Sequence, residues 1–148
     1  GTFGAAYYAC DLKPHAVIIG KPLMSIGNVA ANEKRIRPGG FPTSLDVLRS
    51  TAGDIGEAEI EKLNERFWSK FDAADFSSTR FIISYMYQDD YDATGYPDIL
   101  AHLKGRRIPI ISKGMEGRHN DNTPGVVSWF MSRYHSMMRE DFGREVQV

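Results

Sequence analysis

The chain has 148 residues, which corresponds to a single domain. An apolar fraction of 42% and a charged fraction of 25% are ordinary for a globular protein and exclude a disordered or collagen-like chain. The net charge of -1 gives no basic excess that would predict nucleic-acid binding, and the single cysteine, Cys10, excludes an internal disulfide.

Apolar periodicity and turn residues divide the chain into alternating helices and strands. A helix is predicted over 3–11, ending before Pro14, and a short β-branched run over 15–20 predicts a strand buried on both faces. The later elements are a helix over 57–71 opened by an Asp54–Glu57 capping box, a strand over 79–87, an acidic loop over 88–92, a helix over 97–105, an edge strand over 107–112, a loop over 113–123 and a final helix to about residue 140. The apolar stripe of that last helix, from Val126 to Met138, is expected to face the core.

This alternation predicts an α/β fold with a mostly parallel sheet flanked by helices. The segment 21–56 is rich in glycine and proline, and we expect it to be a loop excursion with one short helix over 43–50. Long excursions of this kind often cover a functional site, so we expect the segment to act as a cap. Three strands make a thin sheet with an open edge. We therefore expect residues 1–148 to form one partial domain, the carboxyl-terminal part of a longer protein.

Two polar clusters follow predicted strands, where α/β proteins place their reactive groups. Asp89 and Asp90 come directly after the strand over 79–87, and His119 follows the last strand. An acid and then a histidine in this order is typical of the end of an α/β-hydrolase, whose triad runs serine, acid, histidine. We predict Asp89 and His119 as catalytic residues, with Asp90 as the alternative acid. Read locally, either aspartate could instead cap a turn, and a loop histidine is most often solvated.

The nucleophile pattern Gly-x-Ser-x-Gly does not occur in the sequence. Gly1 opens a run of small residues of the kind that follows a nucleophile elbow, so we expect Gly1 to be the last glycine of the elbow and the serine to lie two positions before it. His15, His102 and His135 show no metal-ligand spacing and are expected to be structural. No cofactor and no metal are expected.

Several stretches resemble a specific family, the second accessory secretory proteins of the accessory Sec system of Gram-positive bacteria. They are residues 1–23, Asn32-Glu33, the Arg-Pro-Gly-Gly-Phe-Pro-Thr-Ser stretch over 37–44 and the Gln-Asp-Asp-Tyr-Asp stretch over 88–92. The resemblance implies an α/β-hydrolase domain that O-acetylates N-acetylglucosamine on serine-rich-repeat adhesins and supports their export. Its implied partners are the adhesin, other accessory secretory proteins and the accessory SecA motor. Its implied location is the cytoplasm or the inner face of the membrane, without a transmembrane segment.

In that family the triad acid would fall on Asp89 and the histidine on His119. Two other functions stay open at this point. One is a generic serine esterase or peptidase of the same fold, and the other is a non-catalytic scaffold subunit of the export machinery.

Overall fold

The computed structural model describes residues 2–35, 43–53 and 56–144. Within these ranges helices and strands follow one another along the chain. In order they are α1 (Thr2–Leu12), β1 (Ala16–Gly20), α2 (Ile26–Arg35), α3 (Thr43–Ala52), α4 (Glu57–Ala73), β2 (Arg80–Met86), α5 (Asp90–Leu103), β3 (Ile110–Met115) and α6 (Thr123–Phe142).

The three strands form one parallel sheet in the order β1-β2-β3. Ile19 pairs with Ile83 of β2, and Ile83 pairs with Ser112 of β3. This arrangement confirms the predicted α/β class. Because all three strands are parallel, their carboxyl ends meet at one edge of the sheet, where side chains from successive loops come together.

The sheet has a different apolar layer on each face. On one face, Val17, Ile19, Phe81 and Ile83 pack with side chains of α1, α4 and α5 in the main core. On the other face, a smaller cluster joins Met86 and Met115 to α6. The sheet is therefore held between helices, and α6 follows directly from the loop that carries His119.

Two predictions about the apolar surfaces are corrected by the structure. Strand β1 is buried on one face only, since Ile18 is 36% exposed while Ile19 is fully buried. The stripe of α6 contributes Val126 and Met137 to the buried surface, but Val127 is 52% exposed.

The segment 21–56 contains two helices in its described part, α2 as well as the expected α3. Helix α2 was not predicted, because its polar residues and its glycine favour a loop. Gly27 lies so close to α4 that a Cβ there would be 2.4 Å from the carbonyl oxygen of Ile60. Its N–H donates to Asn64 Oδ1 at 2.8 Å, which fixes the contact between α2 and α4. The role of this segment as a cap stays a prediction.

Several element boundaries also differ from the prediction. Helix α5 begins at Asp90 and contains Pro97, because Asp89 caps it eight residues before the proline. Strand β3 begins at Ile110, just after Pro109, instead of at residue 107. Helix α6 begins at Thr123, the last residue of the predicted loop, and its N-cap is Asn122 in a left-handed conformation. The N-cap of α4 is Gly56; the proposed capping residue Asp54 lies outside the described residues.

Candidate active site

His119 lies in the loop between β3 and α6, at the carboxyl edge of the sheet, and makes two hydrogen bonds to the start of α5. Its main-chain N–H donates to Asp89 Oδ2 at 3.0 Å, and its imidazole Nδ1 lies 2.8 Å from Asp92 Oδ1. The side chain of His119 is 16% exposed, while that of Asp92 is fully buried. The structure thus brings the predicted histidine next to an acid.

The predicted acid Asp89 is buried and sits at the N-cap of α5. Its Oδ1 accepts hydrogen bonds from the main-chain N–H groups of Tyr91 and Asp92, at 2.9 and 3.4 Å. Its Oδ2 holds the main chain of His119. Asp89 is therefore part of the site, and in the described geometry its carboxylate fixes the helix start and the backbone of the histidine.

The carboxylate hydrogen-bonded to the imidazole belongs to Asp92, to which sequence analysis assigned no role. Its second oxygen, Oδ2, accepts the main-chain N–H of Met86 at 2.8 Å, so both oxygens are fixed. Asp92 is therefore the acid whose carboxylate is seen to hold the ring, and the catalytic roles of Asp89 and His119, with Asp90 as the alternative acid, stay predictions. Asp92 belongs to the acidic run 88–92, which the sequence marked as a candidate region. Because this run was predicted to be a loop and not the start of a helix, the direction of the Asp92 side chain could not be predicted.

The alternative acid, Asp90, is exposed on the first turn of α5. Its carbonyl oxygen accepts a hydrogen bond from the Thr94 hydroxyl at 2.9 Å. Asp89, Asp92 and His119 are the residues whose ligand-type atoms meet, all within 4.8 Å of one another, and Asp90 is outside this group.

Two carboxylates and an imidazole could in principle hold a metal ion, so the hydrogen bonds decide how this cluster is interpreted. All four carboxylate oxygens of Asp89 and Asp92 already accept N–H groups or contact the ring. Because an ionised carboxylate can only accept, pairing with ionised Asp92 requires the proton on Nδ1 of His119, which leaves Nε2 as the acceptor nitrogen of a neutral imidazole. This is the arrangement of a general base and its orienting acid.

A cavity of about 390 Å³ lies against His119. The amino-terminal residues of α1, Thr2 and Phe3, line the same cavity, as does Lys21 after β1. The remaining lining residues come from the end of β1 and from the 21–56 segment: Gly20, Leu23, Ile26, Val29, Ser44 and Val47. The same cavity is therefore lined by the start of α1, by His119 and by the segment that is predicted to be a cap.

Hydrogen bonds hold the part of the His119 loop that lies between β3 and the histidine. The N–H of Gly117 donates to Gln88 Oε1 at 2.8 Å, and the next N–H, of Arg118, donates to Asp121 Oδ2 at 2.8 Å. Gly117 has a φ of 117°, and a Cβ there would lie 2.8 Å from the Cβ of Asp121, so this turn requires glycine.

The sequence of the chain matches a family model described as Accessory Sec system GspB-transporter over residues 1–144. The chain belongs to this accessory Sec family. It is 42% identical over 144 residues to the second accessory Sec system protein of Staphylococcus aureus and 39% identical over 145 residues to that of Streptococcus gordonii. These matches cover 97% and 98% of this chain, respectively, but the chain spans only 28% of the length of either relative.

The fold of this accessory Sec family member is also similar to that of a chain in a solved structure. The Glycosylation Associate Protein (Gap123) complex from Streptococcus agalactiae contains a chain with a TM-score of 0.89 and 45% sequence identity. The match covers 98% of this chain and 28% of that one. Among the helices of the described residues, none has the length and apolar character needed to cross a membrane.

The other histidines of this family member lie outside the cluster. His15 precedes β1 at the opposite edge of the sheet, where its Nε2 is 2.7 Å from Asp141 Oδ2. His102 lies on α5, stacks on Trp68 with ring centroids 3.8 Å apart, and contacts Asp72 at 2.7 Å. Both join separate elements of the fold, which agrees with the structural roles expected for them.

Proposed function

We propose that this chain carries the acid and the histidine of a serine–histidine–aspartate acyl-transfer site in an accessory Sec system protein. The observation that carries the proposal is the 2.8 Å contact between His119 Nδ1 and the buried Asp92, at the carboxyl edge of a parallel sheet. In this proposal His119 is the general base and Asp92 fixes its tautomer, while Asp89 holds the histidine's main chain.

The serine of the proposed triad would come from residues that precede Gly1 in the full-length protein. This is supported by the place of α1, whose first described residues line the His119 cavity. The proposal requires that a serine shortly before α1 reach this cavity. A nucleophile elbow places its serine at such a strand-to-helix turn, before a helix that starts at this edge of the sheet.

The proposed reaction is a two-step acyl transfer through an acyl-serine. His119 Nε2 removes the serine proton as the serine oxygen attacks the donor ester or thioester, and then gives that proton to the leaving group. In the second step Nε2 removes the proton of an acceptor hydroxyl as its oxygen attacks the acyl carbon, and then gives that proton to the serine oxygen as the acyl–serine bond breaks. Asp92 stabilises the imidazolium that forms in each step. No cofactor or metal is needed for these steps.

The proposed acceptor is N-acetylglucosamine on serine-rich-repeat adhesins, whose export the protein would support. Membership of the accessory Sec family supports the role in export, and the likeness to a chain of the Gap123 complex supports other accessory secretory proteins as partners. The adhesin and the accessory SecA motor are the other proposed partners. The protein would act in the cytoplasm or at the inner face of the membrane.

The test is an assay of full-length protein with a chromogenic acetyl ester, with and without an N-acetylglucosamine acceptor. We expect turnover that requires His119, and transfer of acetyl to the sugar in preference to water. Hydrolysis without transfer would instead identify a serine esterase or peptidase of the same fold. An inactive protein that still supports adhesin export would identify a scaffold subunit, and would reject the enzyme proposal.

A further inference from the structure

We propose that Lys21 is a positioning residue for His119, because it ties the loop that carries the histidine to the end of β1. The inference rests on the proposed function of His119 as the base. Lys21 Nζ donates a hydrogen bond to the main-chain carbonyl of Asp121 at 2.9 Å, and lies 3.5 Å from Thr123 Oγ1. These acceptors are two and four residues after the histidine.

The backbone of Lys21 is in an uncommon conformation. Its φ is 57°, in the left-handed region, which is unfavourable for a residue with a side chain. Its main-chain N–H donates to the carbonyl of Ser84 at 2.9 Å, so the parallel ladder continues one residue beyond β1. Strain of this kind persists where surrounding contacts hold it, and such positions are frequent at functional sites.

The hydrogen bond of Lys21 joins two parts of the sheet that do not pair with each other. Strand β2 lies between β1 and β3, so the two outer strands are separated by two inter-strand spacings, about 10 Å in total. A lysine is long enough to cross much of this gap. Its charge strengthens the bond to a carbonyl relative to a neutral donor.

The loop is therefore held on both sides of the histidine. Gln88 holds the preceding side through the N–H of Gly117, and Lys21 holds the following side through the carbonyl of Asp121. Asp92 can orient the ring only while the main chain at residue 119 stays in place. Loss of Lys21 would release one of the two sides and let the imidazole shift relative to the serine.

The test uses full-length protein and the variants Lys21→Met and Lys21→Arg. We expect Lys21→Met to lower kcat for acetyl transfer about tenfold, since misplacement by about 1 Å can cost up to a hundredfold, and to leave KM within twofold. Lys21→Arg should restore most of the rate, because a guanidinium can also donate to the carbonyl of Asp121. The matched control is Lys13→Met, which removes a lysine with a φ of 47° that flanks the other end of β1 and should behave as wild type.

Amide hydrogen exchange over residues 116–122 gives a readout that does not depend on activity. Lys21→Met should speed exchange there, while Lys13→Met should not. Unchanged exchange, or unchanged kcat in an active enzyme, would overturn the positioning role. A raised KM with normal kcat would also overturn it, by showing that Lys21 binds substrate directly. A wild-type protein without acyl turnover would reject the proposed function instead, and the exchange experiment would still decide whether Lys21 holds the loop.

Discussion

Asp89 and Asp92 stand three residues apart on the same helix start, and they hold different parts of the same histidine. Asp89 accepts the main-chain N–H of His119 at 3.0 Å, whereas Asp92 contacts the imidazole at 2.8 Å. One carboxylate thus fixes where the loop lies and the other fixes how the ring is turned. Substitutions at the two positions should therefore have separable effects.

The first prediction concerns the acid that orients the ring. In full-length protein, Asp92→Asn should lower kcat by roughly 10³- to 10⁴-fold, because an amide can stabilise the wrong histidine tautomer and cannot stabilise the imidazolium. Asp90→Asn is the matched control, since Asp90 is exposed on the same turn, and it should change the rate little. Steady-state kinetics with the acetyl ester measures both. A stronger effect at Asp90 than at Asp92 would contradict the assignment.

The second prediction concerns Asp89. Asp89→Ala should lower the free energy of unfolding by about 1 kcal/mol for the lost N-cap, and should lower kcat as well by releasing the main chain of His119. Asp89→Asn should retain most of the cap, because asparagine is an equally good N-cap residue. Chemical denaturation and kinetics on the same samples separate the two effects. If Asp89→Asn instead abolished turnover while Asp92→Asn did not, Asp89 would be the acid of the triad.

The third prediction concerns the contact between α2 and α4, which supports one wall of the cavity. Gly27→Ala would place a Cβ 2.4 Å from the carbonyl oxygen of Ile60, so it should destabilise the protein by about 1–3 kcal/mol. Gly4→Ala in α1 is the control: no heavy atom lies within 4 Å of its added Cβ, so the better helix former should be neutral or stabilising. Equal melting temperatures for the two variants would argue against the close packing of α2.

The fourth prediction concerns the pH dependence of stability at the opposite edge of the sheet. Hydrogen bonds from His15 and Arg80 hold the pKa of the Asp141 carboxyl below its ordinary value. Because the pKa is lower in the folded than in the unfolded protein, the stabilisation is present above the unfolded pKa, about 3.9, and is lost as pH falls through the folded pKa. Asp141→Asn should therefore reduce stability at pH 7, and its difference from wild type should shrink below pH 4.

Denaturation at several pH values tests this prediction. The control is Asp75→Asn, which removes a carboxylate whose pKa is also lowered, but by hydrogen bonds from nearby Ser77 within one turn. Its effect should be local and should leave the contacts of Asp141 with His15 and Arg80 intact. A difference between Asp141→Asn and wild type that grew at low pH would show that the sign is wrong.

Local sequence patterns were sufficient to predict much of this molecule. Apart from α2, the order of helices and strands, the parallel sheet and the position of His119 after the last strand follow from apolar periodicity and turn residues, which depend on neighbours a few positions away. The resemblance in residues 1–23 and 88–92 led to the accessory Sec family, to which the chain belongs.

Which carboxylate meets the imidazole of His119 depended on tertiary structure. Asp92 and His119 are 27 residues apart, and they meet because β2 and β3 pair in parallel and because α5 starts at Asp90 instead of near Pro97. With Asp89 as N-cap, residue 92 lies on the first turn of a helix, where its carboxylate meets the end of β2 and the imidazole. A side chain's direction depends on where its helix begins, and the partner it meets depends on the packing of distant strands, so neither could be read from the acidic run alone.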